Sequence, residues 1–236
     1  MKEYQKIPTL YKFDNTIKRY TPEIYDENVK YLENNTWLVS EKIDGTNIRV
    51  FYDGHRVSWS GRTDKAVLPK EVEHVLKSTF GDSEVLFEQI FGDKQVILFM
   101  ECYGGKIQGG LYGGTERLIG FDIMVGDMYL DKQCIEPIFK RFGVPTVDFM
   151  EIQGLQWVIN EVKNAGEQPN CYISPYCEKC TTTIEGFVCV PTRRLYDNQG
   201  NRIIVKIKVR DLAKLEPRKN PPSADEIGEA QERDEK

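Results

Sequence analysis

The sequence contains no long apolar segment. None of its 236 residues lies in a run that approaches the ~18 uninterrupted apolar residues of a membrane-spanning helix. The N-terminal residues MKEYQKIPTLYK also lack the apolar core of a secretory signal peptide. We therefore expect no membrane partner and a cytoplasmic location, or the host cytoplasm if the protein is viral.

Basic charge is also scarce, because 32 Lys and Arg residues face 37 Asp and Glu residues and leave a net charge of −5. Proteins that coat nucleic acid usually present a basic surface. Any such binding must therefore come from local clusters. The pairs Lys140-Arg141 and Arg193-Arg194 are candidates for contacts with a phosphate backbone, although paired charges are more often plain solvated surface.

Histidine is rare, and this absence bears on metal binding. Six cysteines in a chain with a cytoplasmic character are expected to be reduced thiols. Cys177 and Cys180, with Cys171 nearby, could bind zinc, but a structural zinc site normally needs four ligands. The two histidines, His55 and His74, are far away in the sequence. We therefore favour unpaired structural thiols over a zinc site.

Secondary structure is indicated by two kinds of apolar pattern. Helical spacing of apolar residues, ended by Gly81 in the first case, predicts helices over 69–80, 131–142 and 155–165. Asp53-Gly54 is a hairpin signal between two β-branched segments. Strands are predicted over 37–40, 47–52, 56–60, 95–100, 117–125, 186–190 and 202–209. Helices inserted among mostly antiparallel strands predict an α+β fold.

The C-terminal residues have a different composition. From Asp211 onward the chain is charged, contains three prolines and offers little to bury. We expect one domain over 1–216 and a charged, flexible tail over 217–236. This leaves no room for a substantial second domain after the last predicted strand.

The segment EKIDGTN, residues 41–47, lies between two predicted strands and carries the strongest chemical signal. Gly45 lets the chain turn sharply, and Asp44, Thr46 and Asn47 gather polar groups around the amine of Lys42. A lysine in such a turn can be an ordinary solvated residue. The polar surroundings also suit a nucleophile.

A lysine amine attacks phosphorus only when it is neutral, whereas its ordinary pKa is ~10.4. Burial and neighbouring cations lower the pKa of an amine. Lys206 and Lys208 could supply those cations and also hold phosphates, since a spacing of two places both on one face of a strand. Phosphoryl transfer commonly uses Mg²⁺, or here Mn²⁺, and the candidate metal ligands are Asp44, Glu101 and Glu185.

Six short elements in order resemble the covalent nucleotidyltransferase superfamily of DNA ligases, RNA ligases and mRNA capping enzymes. A single KxDG pattern would be weak evidence, but six elements in family order are specific. They are KIDGTN at 42–47 (motif I), SGRT at 60–63, FMECYG at 99–104 (motif III), FDI at 121–123 (motif IIIa), EGFV at 185–188 (motif IV) and KIK at 206–208 (motif V).

The forms KIDGTN and EGFV look most like ATP-dependent RNA ligases of the RNA ligase 2 class. This resemblance implies an ATP-grasp-like domain of antiparallel sheets with flanking helices, so that residues 1–216 would be an adenylyltransferase domain. It also implies that Lys42 attacks ATP and becomes covalently attached to AMP. The AMP would pass to a 5′-phosphate end, and a 3′-hydroxyl would then displace it and seal the strand.

The resemblance also assigns roles to single residues. Lys42, Lys206 and Lys208 would be catalytic, the latter two by holding the α-phosphate. The nucleotide would be bound by Glu41 and Phe121 at adenine, Glu101 at the ribose, Arg62 near the phosphates or the 5′-phosphate end, and by Asn47, Glu185, Lys206 and Lys208. Asp44, Glu101 and Glu185 would assist metal binding, and Glu185 could instead position the lysine.

Each assignment has a simpler alternative. Phe121 could be an ordinary core residue, and Lys206 with Lys208 could form a solvated strand face. Glu101 could be a surface residue, and Arg62 could make a surface ion pair. The glycine-rich segment 104–114 lacks the spacing of a P-loop, so we interpret it as a mobile loop that could fold over substrate.

Several functional alternatives stay open. A DNA ligase would use the same chemistry, a capping enzyme would use GTP, and a non-catalytic end-binding protein could keep the fold. Many ligases carry an OB or helical domain after motif V, whereas this chain ends about 28 residues past Lys208. We expect a minimal ligase or an excised catalytic domain, without a clear OB domain. The expected partner is RNA, as a nicked duplex or broken ends, possibly also DNA, and the oligomeric state is left open.

Overall fold

The fold is mixed α and β, with three antiparallel sheets. We describe it from a computed structural model that covers residues 2–168, 174–178 and 182–215. The strands are β1 Tyr11–Asp14, β2 Arg19–Ile24, β3 Thr36–Glu41, β4 Thr46–Tyr52, β5 Val57–Ser60, β6 Val96–Gly104, β7 Glu116–Val125, β8 Met128–Tyr129, β9 Met150–Gln153, β10 Gly186–Pro191 and β11 Val205–Lys208.

The helices are α1 Glu27–Tyr31, α2 Lys70–Phe80, α3 Glu84–Phe91, α4 Ile135–Arg141, α5 Leu155–Glu167 and α6 Val209–Leu212, with 3₁₀ turns over Ile107–Gly110 and Lys132–Cys134. The predicted α+β class is confirmed, and no strand of a further domain follows β11 within the described range. None of the described helices is long and apolar enough to cross a membrane. The predicted tail, 217–236, lies outside the described residues.

The predicted strands are all present, and one strand and one helix differ clearly in extent from the prediction. Strand β11 begins at Val205 rather than at residue 202. Arg202 instead forms an isolated antiparallel β-bridge with Tyr196, and its guanidinium pairs with Asp122. The helix predicted over 131–142 is divided into a 3₁₀ turn and α4. The predicted domain 1–216 stays a prediction.

The larger sheet has the strand order β5-β4-β6-β7-β8. One face packs on helices α2, α3 and α4, because alternate residues of β4 (Ile48, Val50, Tyr52) meet the apolar stripe of α2. Gly120 in β7 allows α4 to approach closely, since a Cβ there would lie 2.5 Å from the ring of Phe139. The opposite face carries Asn47 and Glu101, which are directly paired across β4 and β6.

The smaller sheet has the order β11-β10-β3-β9. Its inner residues Trp37, Val39, Val205 and Ile207 pack in one core with helix α5. Alternation along the strands leaves Lys206 and Lys208 on the opposite face of β11, as their spacing predicted. The hairpin of β1 and β2 forms a separate two-stranded sheet.

A buried carboxylate connects distant parts of the chain. Asp122 of β7 is fully buried and forms ion pairs with Arg202 at 2.6 Å, Arg194 at 2.9 Å and Lys132 at 3.4 Å. The hydroxyl of Tyr4 donates a further hydrogen bond of 3.0 Å. Burial disfavours the ionised carboxyl, but the three cations outweigh burial and hold the pKa of Asp122 below its ordinary value of 3.8.

We expect Asp122→Asn to lower the free energy of unfolding by about 3–5 kcal/mol, because it leaves three partly buried cations without their shared charge. The pKa is lower in the folded state, so the contribution of Asp122 is complete above pH ~4 and is lost as the pH falls below that value. Urea unfolding at pH 7 and at pH 3.5 should therefore show a smaller difference between variant and wild type at the lower pH. Equal stability at pH 7 would contradict this account.

Candidate active site

A cavity of about 460 Å³ lies between the polar faces of the two larger sheets. Seven of the ten predicted site residues line it, namely Glu41, Lys42, Asn47, Arg62, Glu101, Phe121 and Lys206. The other three, Asp44, Glu185 and Lys208, do not line the cavity but lie beside its lysines. Residues separated by more than 160 positions in the chain are thus brought together.

Lys42 follows the last residue of β3, and the neighbouring strand fixes its backbone. Its N–H donates to the carbonyl of Gly186 at 2.9 Å. Gly186 has a φ of 151°, and a Cβ there would lie 2.1 Å from the carbonyl oxygen of Ile207. Only glycine allows β10 to start this close to β11. Glu185, the preceding residue, is consequently held between Lys42 and Lys208.

The Glu185 carboxylate binds two lysines at once. Its Oε2 lies 2.6 Å from Lys42 Nζ, and its Oε1 lies 3.3 Å from Lys208 Nζ. Lys208 is buried, and burial together with the positive charges of Lys208 and Lys42 lowers the pKa of Lys206. The site therefore contains the three predicted lysines, but a carboxylate separates two of them.

Three carboxyl groups also repel one another around the lysines. Burial is the main cause that raises the pKa of Glu101 to about 8, and Glu185 and Asp44 raise it further against the opposing charge of Lys42. Burial and Glu185 likewise raise the pKa of Asp44. Each carboxyl would gain from an added cation, since a positive charge relieves this repulsion.

The metal ligands predicted from the sequence do not form a complete cage. In the described part of the chain, no three His, Cys, Asp or Glu side chains are arranged to hold a metal ion by themselves. Magnesium usually binds one or two carboxylates together with waters and substrate phosphates, so the donor set still fits a shared metal.

Two buried oxygen atoms of lining residues have no hydrogen-bond partner among the described residues. They are Glu41 Oε1 and Asn47 Oδ1. Burial raises the pKa of Glu41 to about 7, against a hydrogen bond from Ser174. Buried acceptors without a partner are costly, so these atoms indicate a ligand with donors at matching positions.

The Phe121 end of the cavity includes residues that the sequence did not single out. Phe121 is half-buried, and the ring of Tyr4 meets it edge-on at 5.1 Å. The ammonium of Lys132 donates to the carbonyl of Phe121 at 2.7 Å and lies 4.9 Å from the ring of Phe149. Burial lowers the pKa of Lys132 to about 8. No local pattern marks Tyr4, Lys132 or Phe149, because each reaches the cavity from a different segment.

The glycine-rich segment 104–114 is anchored to the turn after Lys42. The N–H of Asp44 donates to the Tyr112 hydroxyl at 2.9 Å, and Gln108 Nε2 donates to the carbonyl of Gly45 at 3.0 Å. Tyr112 is buried against Tyr103. The segment thus stabilises the turn through two hydrogen bonds, a role that the prediction of a mobile loop did not include.

The loop that carries Arg62 is held by a buried arginine. Arg49 Nε donates to the carbonyl of Gly61 at 2.8 Å, and its Nη2 pairs with Asp64 at 2.8 Å. Arg62 itself is exposed and lines the cavity.

The remaining sequence candidates lie elsewhere. Cys177 is buried, whereas Cys171 and Cys180 lie outside the described residues. Arg194 forms an ion pair with Asp122. The positive charge that we considered for contact with a phosphate backbone therefore already has a partner within the protein. Arg193 and the pair Lys140-Arg141 are exposed.

Comparison with solved structures shows the same fold in RNA ligases from Naegleria gruberi. A variant with AMP and manganese matches with a TM-score of 0.61 and 14% identity, over 90% of this chain and 57% of that one. The ligase with pyrophosphate matches with a TM-score of 0.58 and 16% identity, over 88% and 60%. This chain thus spans about three fifths of their length.

A comparison with curated proteins gave no match. The family model for RNA ligase matches residues 35–208, from the start of β3 to the end of β11. This range contains all the predicted site residues and both sheets that enclose the cavity. The chain therefore belongs to the RNA ligase family.

Proposed function

We propose that this protein is an ATP-dependent RNA ligase that joins 5′-phosphate and 3′-hydroxyl ends. The observation that carries the proposal is the placement of Lys42 Nζ at the cavity wall, 2.6 Å from Glu185, with Lys206 lining the same cavity. A lysine with only a structural role would need one carboxylate as a partner, whereas Glu185 binds both Lys42 and Lys208. Family membership and the AMP, ATP and manganese in the related structures agree with this chemistry.

In this mechanism Lys42 Nζ attacks the α-phosphorus of ATP. A P–N bond forms to the lysine, the bond to the β-phosphate breaks, and pyrophosphate leaves. The amine must lose a proton, and Glu185 is placed to accept it from Nζ. Lys206 and Lys208 would stabilise the charge that develops on the α-phosphate.

The other cavity residues would hold the nucleotide. Phe121 would stack on adenine, and Glu41, with its unpartnered oxygen, would accept a hydrogen bond from the base. Glu101 would bind the ribose, and Asn47 would contact the nucleotide. The exposed Arg62 would contact a phosphate of ATP or of the 5′ end.

Asp44, Glu101 and Glu185 would hold a divalent metal, Mg²⁺ or Mn²⁺, through their carboxylates. When bound, it would neutralise charge on the reacting phosphates. In the later steps AMP moves from Lys42 to the 5′-phosphate end, and the 3′-hydroxyl displaces AMP to form the phosphodiester.

We expect Lys42→Ala to abolish covalent labelling of the protein by α-labelled ATP. Lys42→Arg should also abolish it, although arginine keeps the charge that pairs with Glu185, because a guanidinium remains protonated. Denaturing gel electrophoresis after incubation with Mg²⁺ or Mn²⁺ measures the label, and labelled GTP tests the capping alternative. A wild type that forms no adenylate would favour the non-catalytic end-binding alternative.

We expect Lys206→Ala to slow adenylation at neutral pH by about 100-fold, because one phosphate-binding donor is lost. Lys163→Ala, an exposed lysine on α5, is the matched control and should leave the rate unchanged. Single-turnover adenylation with purified, metal-supplemented protein measures both. Wild-type adenylation by the Lys206 variant would remove Lys206 from the mechanism, even if the protein is a ligase.

RNA specificity can be tested with matched nicks whose flanking strands are RNA or DNA in all combinations. We expect sealing to depend on ribonucleotides beside the break, since the 2′-hydroxyl distinguishes RNA from DNA. The sealed fraction is measured by gel under single-turnover conditions. Equal sealing of an all-DNA nick would overturn the RNA assignment and leave a DNA ligase.

A further inference from the structure

The β1–β2 hairpin is a separate unit with exposed basic and aromatic side chains. It pairs with neither of the larger sheets. Its exposed side chains include Lys12, Phe13, Lys18 and Arg19. The nucleotide chemistry proposed above uses none of them, so the hairpin is available for another task.

The hairpin is attached directly to the candidate active site. Lys206 N–H donates to the carbonyl of Pro8 at 2.9 Å, and Leu10 N–H donates to the carbonyl of Lys206 at 3.1 Å. Strand β1 begins at the next residue, Tyr11. On the return strand, Tyr20 N–H donates to the carbonyl of Lys214 at 3.0 Å. The hairpin therefore starts beside the lysine that would hold the α-phosphate.

Two cations of the hairpin form no ion pair with the described residues. Lys12 pairs with Glu23, but no carboxylate in the described part of the chain forms an ion pair with Lys18 or Arg19. Asp14 instead accepts from the N–H groups of Thr16 and Ile17, which shapes the turn. Free cations on a protein of net charge −5 indicate a local site for an anionic partner.

The hairpin also exposes an aromatic ring, on the face opposite Arg19, because Phe13 pairs with Tyr20 and Arg19 is the neighbouring residue of β2. Phe13 is 42% exposed, and the ring of Tyr20 supports it edge-on at a centroid distance of 5.0 Å. Unpaired bases stack on such rings, whereas a purely ionic partner gives no reason to expose one. Phosphates and bases together are the chemistry of a nucleic-acid strand.

We propose that the β1–β2 hairpin binds the substrate strand next to the break, with Lys18 and Arg19 at the turn on phosphates and Phe13, on the other face, against an unpaired base. This inference rests on the proposed ligase function. Four residues of β1 span about 13 Å, and phosphates of one strand follow each other at ~3.4 Å along a duplex axis. The hairpin can thus cover about four nucleotides leading away from Lys206.

The test uses the double variant Lys18→Glu, Arg19→Glu and the single variant Phe13→Ala. The control is Lys70→Glu, Lys77→Glu, which reverses two exposed lysines of α2 and changes the net charge equally. The full chain is first adenylated with ATP. Single-turnover sealing is then measured against the concentration of a nicked RNA duplex and of a 5′-phosphorylated single strand.

We expect adenylation of Lys42 to be unchanged in all three variants, because none of the substituted residues lines the cavity. The concentration for half-maximal sealing should rise roughly tenfold in the Lys18, Arg19 variant. In a plot of log affinity against log salt concentration, the slope should become shallower by about 1.4–1.8, as expected for two lost phosphate contacts. Phe13→Ala should weaken binding without changing the salt slope. The control should resemble wild type.

The possible outcomes separate the two proposals. If no adenylate forms on the wild type, the ligase proposal fails. If adenylation and sealing proceed and the hairpin variants seal like wild type at every substrate concentration, the hairpin proposal alone fails. An equal loss in hairpin and control variants would show an effect of net charge and would also overturn it.

Discussion

The Glu185 carboxylate has to bind Lys42 and Lys208 at the same time, and the arrangement of the smaller sheet follows from this requirement. The two oxygens reach Lys42, which follows β3, and Lys208, which ends β11, because β10 lies between these two strands. Gly186 makes that position accessible, since any side chain would collide with the carbonyl of Ile207. The register of β3, β10 and β11 thus determines where the Lys42 amine lies.

Burial disfavours the ionised groups that line or adjoin the cavity. Raised pKa values at Glu41, Asp44 and Glu101, and lowered values at Lys132 and Lys206, show that burial works against ionised groups around the whole cavity. Polar groups arranged in advance need not reorganise when charge develops on a reacting phosphate. Asp122 is the exception, because three cations neutralise it and it can serve as a structural anchor.

The sequence predicted those parts of the structure that depend on local patterns. Strands such as β4 and β6 follow from apolar, β-branched segments bounded by turn residues, and the candidate site residues were proposed because family motifs surround each of them. The hairpin strands β1 and β2 were not predicted, since they are short and their residues are mostly polar or exposed. Tyr4, Lys132 and Arg202 were missed for another reason. They meet at Asp122 only through tertiary contacts, and no spacing along the chain encodes that meeting.

The N-terminal segment shows why such long-range contacts matter for the site. Tyr4 and Gln5 line the cavity, yet Tyr4 is held by Asp122 of the larger sheet and Gln5 by the backbone of Arg202. Pro8 and Leu10 then bond to the backbone of Lys206. One stretch of chain therefore closes the cavity wall, joins the two sheets and positions the hairpin. Because all three tasks use the same few hydrogen bonds, a displacement of this segment would change the cavity and the hairpin together.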